Sequence, residues 1–281
     1  MLRTQSGLRV LGAQDLPEVL DLLAADPVRN VFVDYRARLT RLEPRWLGGE
    51  IWGWFRDGRL ASVCHAAANL VPAMADEEAL DAFAGRARKR GRTCSTIVGP
   101  RDQVEVLWDR LSSHWGPARE LRWQQPHLEI SGSSDVEADP LVRRSEASDI
   151  ETLYPACVAM YTEEVGVSPE WDGGRDLYRA RVAQLVSRGW SFARYEEGRV
   201  VFKAEIACST PHACQVQGVY VAPDRRGEGL ATRGMAAVVE LARREIAPVV
   251  SLYVNGHNTA ARTAYDRAGF RQTETFATVM F

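Results

Sequence analysis

The stretch Gln217-Gly218-Val219-Tyr220-Val221-Ala222-Pro223-Asp224-Arg225-Arg226-Gly227-Glu228-Gly229-Leu230-Ala231-Thr232 constrains the fold more than any other part of the chain. Val219 and Val221 alternate with polar neighbours as strand residues do, Pro223 and Asp224 stop the strand, and Leu230 through Ala242 runs at helical spacing. A strand therefore passes through a Gly-bearing turn directly into a helix start. The first N–H groups of a helix lack partners and carry partial positive charge, so small residues there let an anion reach the main chain. Gly227, Gly229 and Ala231 leave that room, and the segment reads as a phosphate cradle.

The spacing excludes the two most familiar cradles. No Lys-Ser or Lys-Thr follows the turn, as a Walker loop requires, and the three glycines of a dinucleotide fingerprint are missing. Arg226, Gly229 and Ala231 fit Gln/Arg-x-x-Gly-x-Gly/Ala instead, which resembles the acyl-CoA loop of the GNAT acetyltransferase superfamily. A second segment strengthens the resemblance: after the buried run Val249-Val250-Ser251-Leu252-Tyr253-Val254 come Asn258, Ala261, Tyr265, Gly269 and Phe270 at the spacing Asn-x-x-Ala-x-x-x-Tyr-x-x-x-Gly-Phe. Asn258 stands where a helix N-cap belongs, Gly269 where the helix should end, and Ala261 and Tyr265 lie one turn apart on one face. The resemblance covers about the second half of the chain. It implies an α+β fold with a mostly antiparallel mixed sheet flanked by helices, in which two neighbouring parallel strands splay apart. It also implies acetyl-CoA as co-substrate, bound by Val219, Tyr220, Val221, Arg226, Gly227, Glu228, Gly229, Leu230, Ala231 and Thr232, with Asn258 and Ala261 from the second motif.

With 281 residues and 46% hydrophobic content, the chain is long enough for two modest domains, each with its own core. A net charge of -2, from 35 basic and 37 acidic residues, gives no global pull toward nucleic acid or a membrane surface. The dense basic run Arg88-Lys89-Arg90-Gly91-Arg92 reads as a solvated helix end with cations at its negative pole. Cysteines 64, 94, 157, 208 and 214 form no Cys-x-x-Cys pair, and the five histidines are scattered, so neither a disulfide framework nor a metal site is expected. The first residues lack an apolar leader core, and the cytoplasm is the expected location.

Short echoes link the two halves. Leu8-Arg9-Val10-Leu11 before Asp15 parallels Leu141-Val142-Arg143-Arg144 before Asp149, Asp57-Gly58-Arg59-Leu60 parallels Glu197-Gly198-Arg199-Val200, and Trp108-Asp109-Arg110 parallels Tyr265-Asp266-Arg267. They suggest a tandem repeat of the whole domain, residues 1–132 and 140–281, joined by the small polar segment 132–140. The first copy has lost its chemistry on this reading. Asp76, Glu77 and Glu78 stand where the cradle should open and would repel a pyrophosphate, and Trp108 has no hydroxyl where the second copy has Tyr265.

The resemblance implies direct attack by an amine on the thioester, with Tyr265 donating to the departing thiolate. Many relatives carry a Glu on the strand that enters the loop, but Gln215 and Gln217 occupy it here, and neither takes a proton at neutral pH. Glu205, in the apolar run Val200–Ala207, is the candidate base; its other reading is a salt bridge with Lys203, should a bulge permit one. Glu163 and Glu164 lie in the segment that closes over acceptors in this family and suit a cationic amine, or else form a solvated helix end. Trp171, Asp172, Arg175 and Tyr178 are candidates for the acceptor pocket, and His257 for a proton shuttle. The acceptor, a small molecule or a peptide N-terminus, and the choice between monomer and homodimer stay open. A non-catalytic acyl-CoA-binding module is the alternative to an enzyme.

Overall fold

In each half of the chain an arginine on the first strand clamps an aspartate six residues on. Arg9 forks onto Asp15 at 2.8 and 2.7 Å, and Arg143 onto Asp149 at 2.6 and 2.8 Å. Each aspartate also accepts the N–H of the residue three before it, Gly12 at 2.8 Å and Glu146 at 2.7 Å. Strand, turn and first helix are thereby fixed by the same charge-assisted contacts in both copies.

The computed structural model describes residues 7–281, which group into two compact units, 7–127 with 272–281, and 128–271. The first runs β1 (Gly7–Val10), α1 (Leu16–Leu23), α2 (Val31–Thr40), α3 (Pro44–Leu47), β2 (Glu50–Arg56), β3 (Arg59–Ala66), β4 (Asn69–Ala73), α4 (Glu77–Arg90), β5 (Thr96–Pro100), α5 (Arg101–Trp115) and β6 (Glu120–Ile130). The second repeats the order with β7 (Arg143–Arg144), α6 (Ile150–Val165), α7 (Arg175–Ser187), β8 (Ser191–Glu196), β9 (Arg199–Ser209), β10 (Ala213–Val221), α8 (Leu230–Glu245), β11 (Val249–Tyr253) and α9 (Thr259–Arg267), and β12 (Arg271–Met280) ends the chain. Each unit is α+β, with a mixed, mostly antiparallel sheet flanked by helices. The strand orders are β1-β2-β3-β4-β5-β12-β6 and β11-β10-β9-β8-β7. In each, one pair is parallel, β4 with β5 and β10 with β11.

Where the sequence carries the second domain to the C-terminus, the contacts group the last strand with the first unit. β12 pairs antiparallel with β5, from Phe276 opposite Pro100 to Met280 opposite Thr96, and Ala277 and Val279 sit in the core with Leu80, Phe83 and Leu107. The segment expected to be a linker is tied down. Ser134 Oγ donates to the Ala268 carbonyl at 2.7 Å, and Asp139, 2% exposed, takes Arg194 Nη1 at 2.7 Å. The hairpin turns do repeat: Asp57-Gly58 has φ of 49° and 79°, and Glu197-Gly198 has 48° and 75°, the left-handed pair that a two-residue hairpin loop requires.

The first unit keeps the frame of a cradle but fills it. β4 and β5 are in register only at Asn69–Thr96 and Leu70–Ile97. Beyond that point Pro72, which has no N–H, packs against Gly99, where a side-chain Cβ would lie 3.6 Å from the proline ring. The α4 N-terminus is occupied by its own cap, because the Asp76 carboxylate accepts the Ala79 N–H at 3.1 Å and Arg56 bridges Asp76 and Glu78. The Ala79 N–H, and then Arg56, hold the Asp76 carboxyl below its usual range. Trp108 packs on Phe281 at 5.8 Å between ring centroids.

Two imidazoles of this unit, His65 and His127, are 2% and 1% exposed, and burial pulls each down to about 4. A group whose folded pKa is depressed contributes stability above its unfolded value, about 6.5, and loses it as the pH falls toward the folded value. Between pH 7 and pH 5 each should therefore remove about 2 kcal/mol. Urea unfolding at the two pH values, on the wild type and on His65→Gln and His127→Gln, checks this: each variant should show a shallower loss.

Candidate active site of the second unit

β10 and β11 are in register at three positions only, Ala213–Val249, Cys214–Val250 and Gln215–Ser251. Beyond Gln215 the strands part, leaving the β11-facing edge of β10 without a strand partner, and backbone groups on such an edge need another partner. A cavity of about 780 Å³ opens there. Side chains alternate across β10. Cys214 and Val216 pack in the apolar core under α8, with Met235, Val238 and Val239, Val216 also bordering the cavity, and Gln215 and Gln217 line the cavity with Met160, Tyr178, Val182 and Leu185 of α6 and α7.

The far end of the cavity is the turn into α8. Gly229, the residue before the helix, has φ 80°, and Gly227 has φ 84°. A side chain in that left-handed region would strain the loop, and a Cβ at either position would point into open space. The N–H groups of Gly227, Glu228, Gly229, Leu230, Ala231 and Thr232 find no acceptor among the described residues, and the first N–H that does is Arg233, on the Gly229 carbonyl at 3.1 Å. A run of unpaired N–H groups at the positive pole of a 16-residue helix is an anion site. Of the expected loop residues, all but Glu228 line the cavity. The Glu228 carboxylate turns to Arg225 at 2.8 Å, so only its main chain serves the cradle. Val219, Tyr220, Val221, Asn258 and Ala261 line it as well. Asn258 caps α9 as expected, accepting the Ala261 N–H at 3.1 Å.

Glu205 is 5% exposed and lines the same cavity. Its Oε1 accepts from Lys203 Nζ at 2.7 Å and from the Cys157 thiol at 3.5 Å. No bulge is needed for that ion pair, because residues two apart on a strand share a face. The bulge lies on the partner strand, where the β9–β10 register shifts between Gln217 and Tyr220. There Gly218 takes φ 60° and its carbonyl accepts the second Lys203 bond, at 2.9 Å. Lys203 is fully buried. Burial works against its ammonium, but Glu205 and Cys157 outweigh it and hold the pKa above the ordinary lysine value. Burial pushes the Cys157 thiol up to about 12. A Cβ on Gly218 would fall 3.0 Å from Met160 Cε and 3.1 Å from Glu205 Oε2, so the glycine keeps Oε2 beside the cleft.

The end of α6 closes the mouth. Glu163 binds Arg226 of the loop at 2.7 Å, while Asn255, just past β11, donates to Glu164 at 3.0 Å. The two adjacent carboxylates thus reach opposite banks of the opening. Tyr265 is 6% exposed and lines the cavity, and burial, then the Glu164 charge, raises its phenol well above the usual tyrosine value. Of the other candidates, Tyr178 lines the cavity and donates to the Cys157 carbonyl at 2.9 Å, whereas Trp171, Asp172, Arg175 and His257 are not among its walls. Trp171 is 77% exposed and Arg175 pairs with Glu170. Arg181 escaped the sequence reading, whereas the Lys203 salt bridge was the second reading of Glu205 and is present. For Lys203 the signal was present, a lysine two residues before a glutamate in an otherwise apolar strand.

A sequence model of the acetyltransferase (GNAT) family matches residues 159–270, and one of a domain of unknown function, DUF4081, matches residues 49–153. No curated protein matches the chain. Among solved structures, a GNAT-family acetyltransferase from Colwellia psychrerythraea superposes with a TM-score of 0.62 at 11% identity, covering 98% of this chain and 99% of that one. A tandem GNAT protein from the clavulanic acid biosynthesis pathway gives 0.57 at 13%, covering 98% of each. A GCN5-related N-acetyltransferase from Sphaerobacter thermophilus gives 0.58 at 16%, covering 98% and 95%. The likeness is one of fold, and it extends over both units.

The buried pair makes a direct test of the site's construction. Lys203→Met leaves the Glu205 carboxylate uncompensated and should cost about 3–5 kcal/mol in urea unfolding, whereas Lys203→Met combined with Glu205→Gln should recover most of that loss.

Proposed function

We propose, from the match of residues 159–270 to the GNAT acetyltransferase family, that the second unit moves an acetyl group from acetyl-CoA to a primary amine by direct attack in a ternary complex. The observation that carries this reading is the coincidence, in one cavity, of a parted parallel strand pair with a row of unpaired N–H groups at a helix start. A CoA ester is a long chain of amides ending in a pyrophosphate, and it matches both. The cradle from Gly227 to Thr232, with Arg226, takes the phosphates, and the free edge of β10 from Val219 to Val221 takes the amides.

The amine nitrogen forms a bond to the thioester carbon as the C–S bond breaks, and an ammonium acceptor gives up two protons in becoming an amide. One has to reach the departing sulfur, and the other leaves to a base. Tyr265 serves the sulfur: burial keeps its phenol protonated, and a hydrogen bond to thiolate strengthens as charge develops. Glu205 serves the amine through Oε2, the oxygen beside Gly218. Glu164 stands near Tyr265 at the mouth, where it draws a cationic acceptor inward. The first unit, with its helix start capped by Asp76 and its strands closed by Pro72, has no part in the transfer.

Calorimetric titration with acetyl-CoA should give one site per chain, and absence of binding up to millimolar concentration sinks the reading. Tyr265→Phe should lower kcat by about 100-fold or more while leaving the KM for acetyl-CoA within about twofold. A binding module without chemistry would take up acetyl-CoA and acetylate no amine.

A further inference from the structure

The end of the cavity opposite the phosphate cradle is built for an anion as well. It lies at Gln215, the last β10 residue in register with β11, on the sheet face covered by α7. Gln215 is 7% exposed, yet its side-chain amide has no hydrogen-bond partner among the described residues. The amide reaches the cavity, where it is open to a ligand. Arg181 of α7, half-buried, lines the same cavity. Its charge also bears on the buried Cys208 thiol, the β9 residue opposite Gln215.

The charge balance at this end does not close within the protein. Glu205 is the carboxylate on this wall, and Lys203 neutralises it at 2.7 Å. Arg181 is held only by the neutral Gln184 amide, Nη1 to Oε1 at 3.0 Å, and pairs with no carboxylate among the described residues. The arginines at the cradle end differ: Arg225 is paired with Glu196 and Glu228, and Arg226 with Glu163. Arg267, exposed at the end of α9, also lines the cavity without a carboxylate partner among the described residues, so two guanidinium groups are left uncompensated there, and Arg181 is the one we assign to the acceptor end with the Gln215 amide. A planar fork with an amide donor beside it is the donor set for a carboxylate.

We propose that the acceptor is an amine that itself carries a carboxylate, an amino acid or a close amino-carboxylate, with the carboxylate on Arg181 and Gln215 and the amine toward Glu205. This rests on the transferase reading above and assigns its acceptor. Arg181 is a specificity residue here. It takes no part in the bond changes, in which the amine nitrogen still displaces CoA sulfur.

The test uses the full chain with acetyl-CoA and matched acceptors: the free amino acids, their C-terminal amides, and carboxylate-free amines such as spermidine and glucosamine. Turnover is followed by thiol release, and binding to the CoA-saturated chain by calorimetry. Free amino acids should be acetylated in preference to their amides. Arg181→Gln should raise the KM for the preferred amino acid by about 10- to 100-fold without moving the KM for acetyl-CoA, and Arg181→Lys should restore part of the loss. Equal or better turnover of the amides or of the carboxylate-free amines overturns the inference and leaves the transferase reading standing. So does an unchanged amino-acid KM in Arg181→Gln. If acetyl-CoA binds but no amino-carboxylate binds or reacts, the inference also fails, whereas failure to bind acetyl-CoA at all removes the reading beneath it.

Discussion

Everything at the site follows from the parting of β10 and β11 after Gln215. A parallel pair in the middle of a sheet normally satisfies its backbone along its whole length, and giving up the pairing leaves donors and acceptors that must find partners elsewhere. The second unit tolerates the opening because its other contacts are strong. β10 stays paired with β9 on its far side through two register shifts, β11 keeps Val250 and Leu252 in the core, and α8 presses Met235, Val238 and Val239 onto the same core. The cavity is thus a deliberate gap in a well-packed frame, of a shape that suits a linear, amide-bearing ligand.

The first unit shows how little is needed to abolish such a site. It has the same clamped first turn, the same left-handed hairpin, and a parallel pair that also leaves register early. Two local substitutions of chemistry separate the copies. A proline on β4 and a capping aspartate at the start of α4 use up the groups that Val219 to Val221 and the loop at Gly229 leave free. Glu77 and Glu78 then give the first turn of α4 the wrong charge for a phosphate. Frame and function are separable because the frame depends on cores and clamps, while the site depends on backbone left unpaired.

This separation also explains what was legible in the sequence. The turn at Gly227 to Gly229 and the cap at Asn258 write themselves in residue types, because only certain residues adopt those backbones or offer those acceptors. The two strands of the opening were readable, one from the alternation at Val219 and Val221 and the other from the buried run Val249 to Val254, which ends one residue beyond β11. The grouping of β12 with the first unit was not, since an apolar strand carries no mark of its neighbour, and β12 pairs with β5 across most of the chain. Nor was the segment 132–140 readable as packed: its small polar residues look like a linker, whereas Asp139 is buried and held by Arg194, the Leu141 N–H and the Arg233 carbonyl. Arg181 was invisible because an unpaired arginine is defined by what does not face it.

The placement of the acid is the last consequence. Gln215 and Gln217 free β10 of charge, and the carboxylate sits one strand over, on β9, at a site 5% exposed. An isolated carboxylate at that depth costs several kcal/mol unless it is paired. Lys203 pairs it, two residues back on the same face, but this puts an ammonium in the interior as well, with donors left to satisfy. One goes to the Gly218 carbonyl at 2.9 Å, at the point where β10 bulges. Gly218 turns to φ 60° there, a backbone that suits glycine, and the Cβ it lacks would crowd Glu205 and Met160. Moving the acid by one strand thus accounts for the lysine, the lysine for the bulge contact, and the bulge contact for the glycine. The charge of Glu205 is balanced inside the protein by Lys203, while Arg181, held by the neutral Gln184 amide, has no carboxylate partner among the described residues.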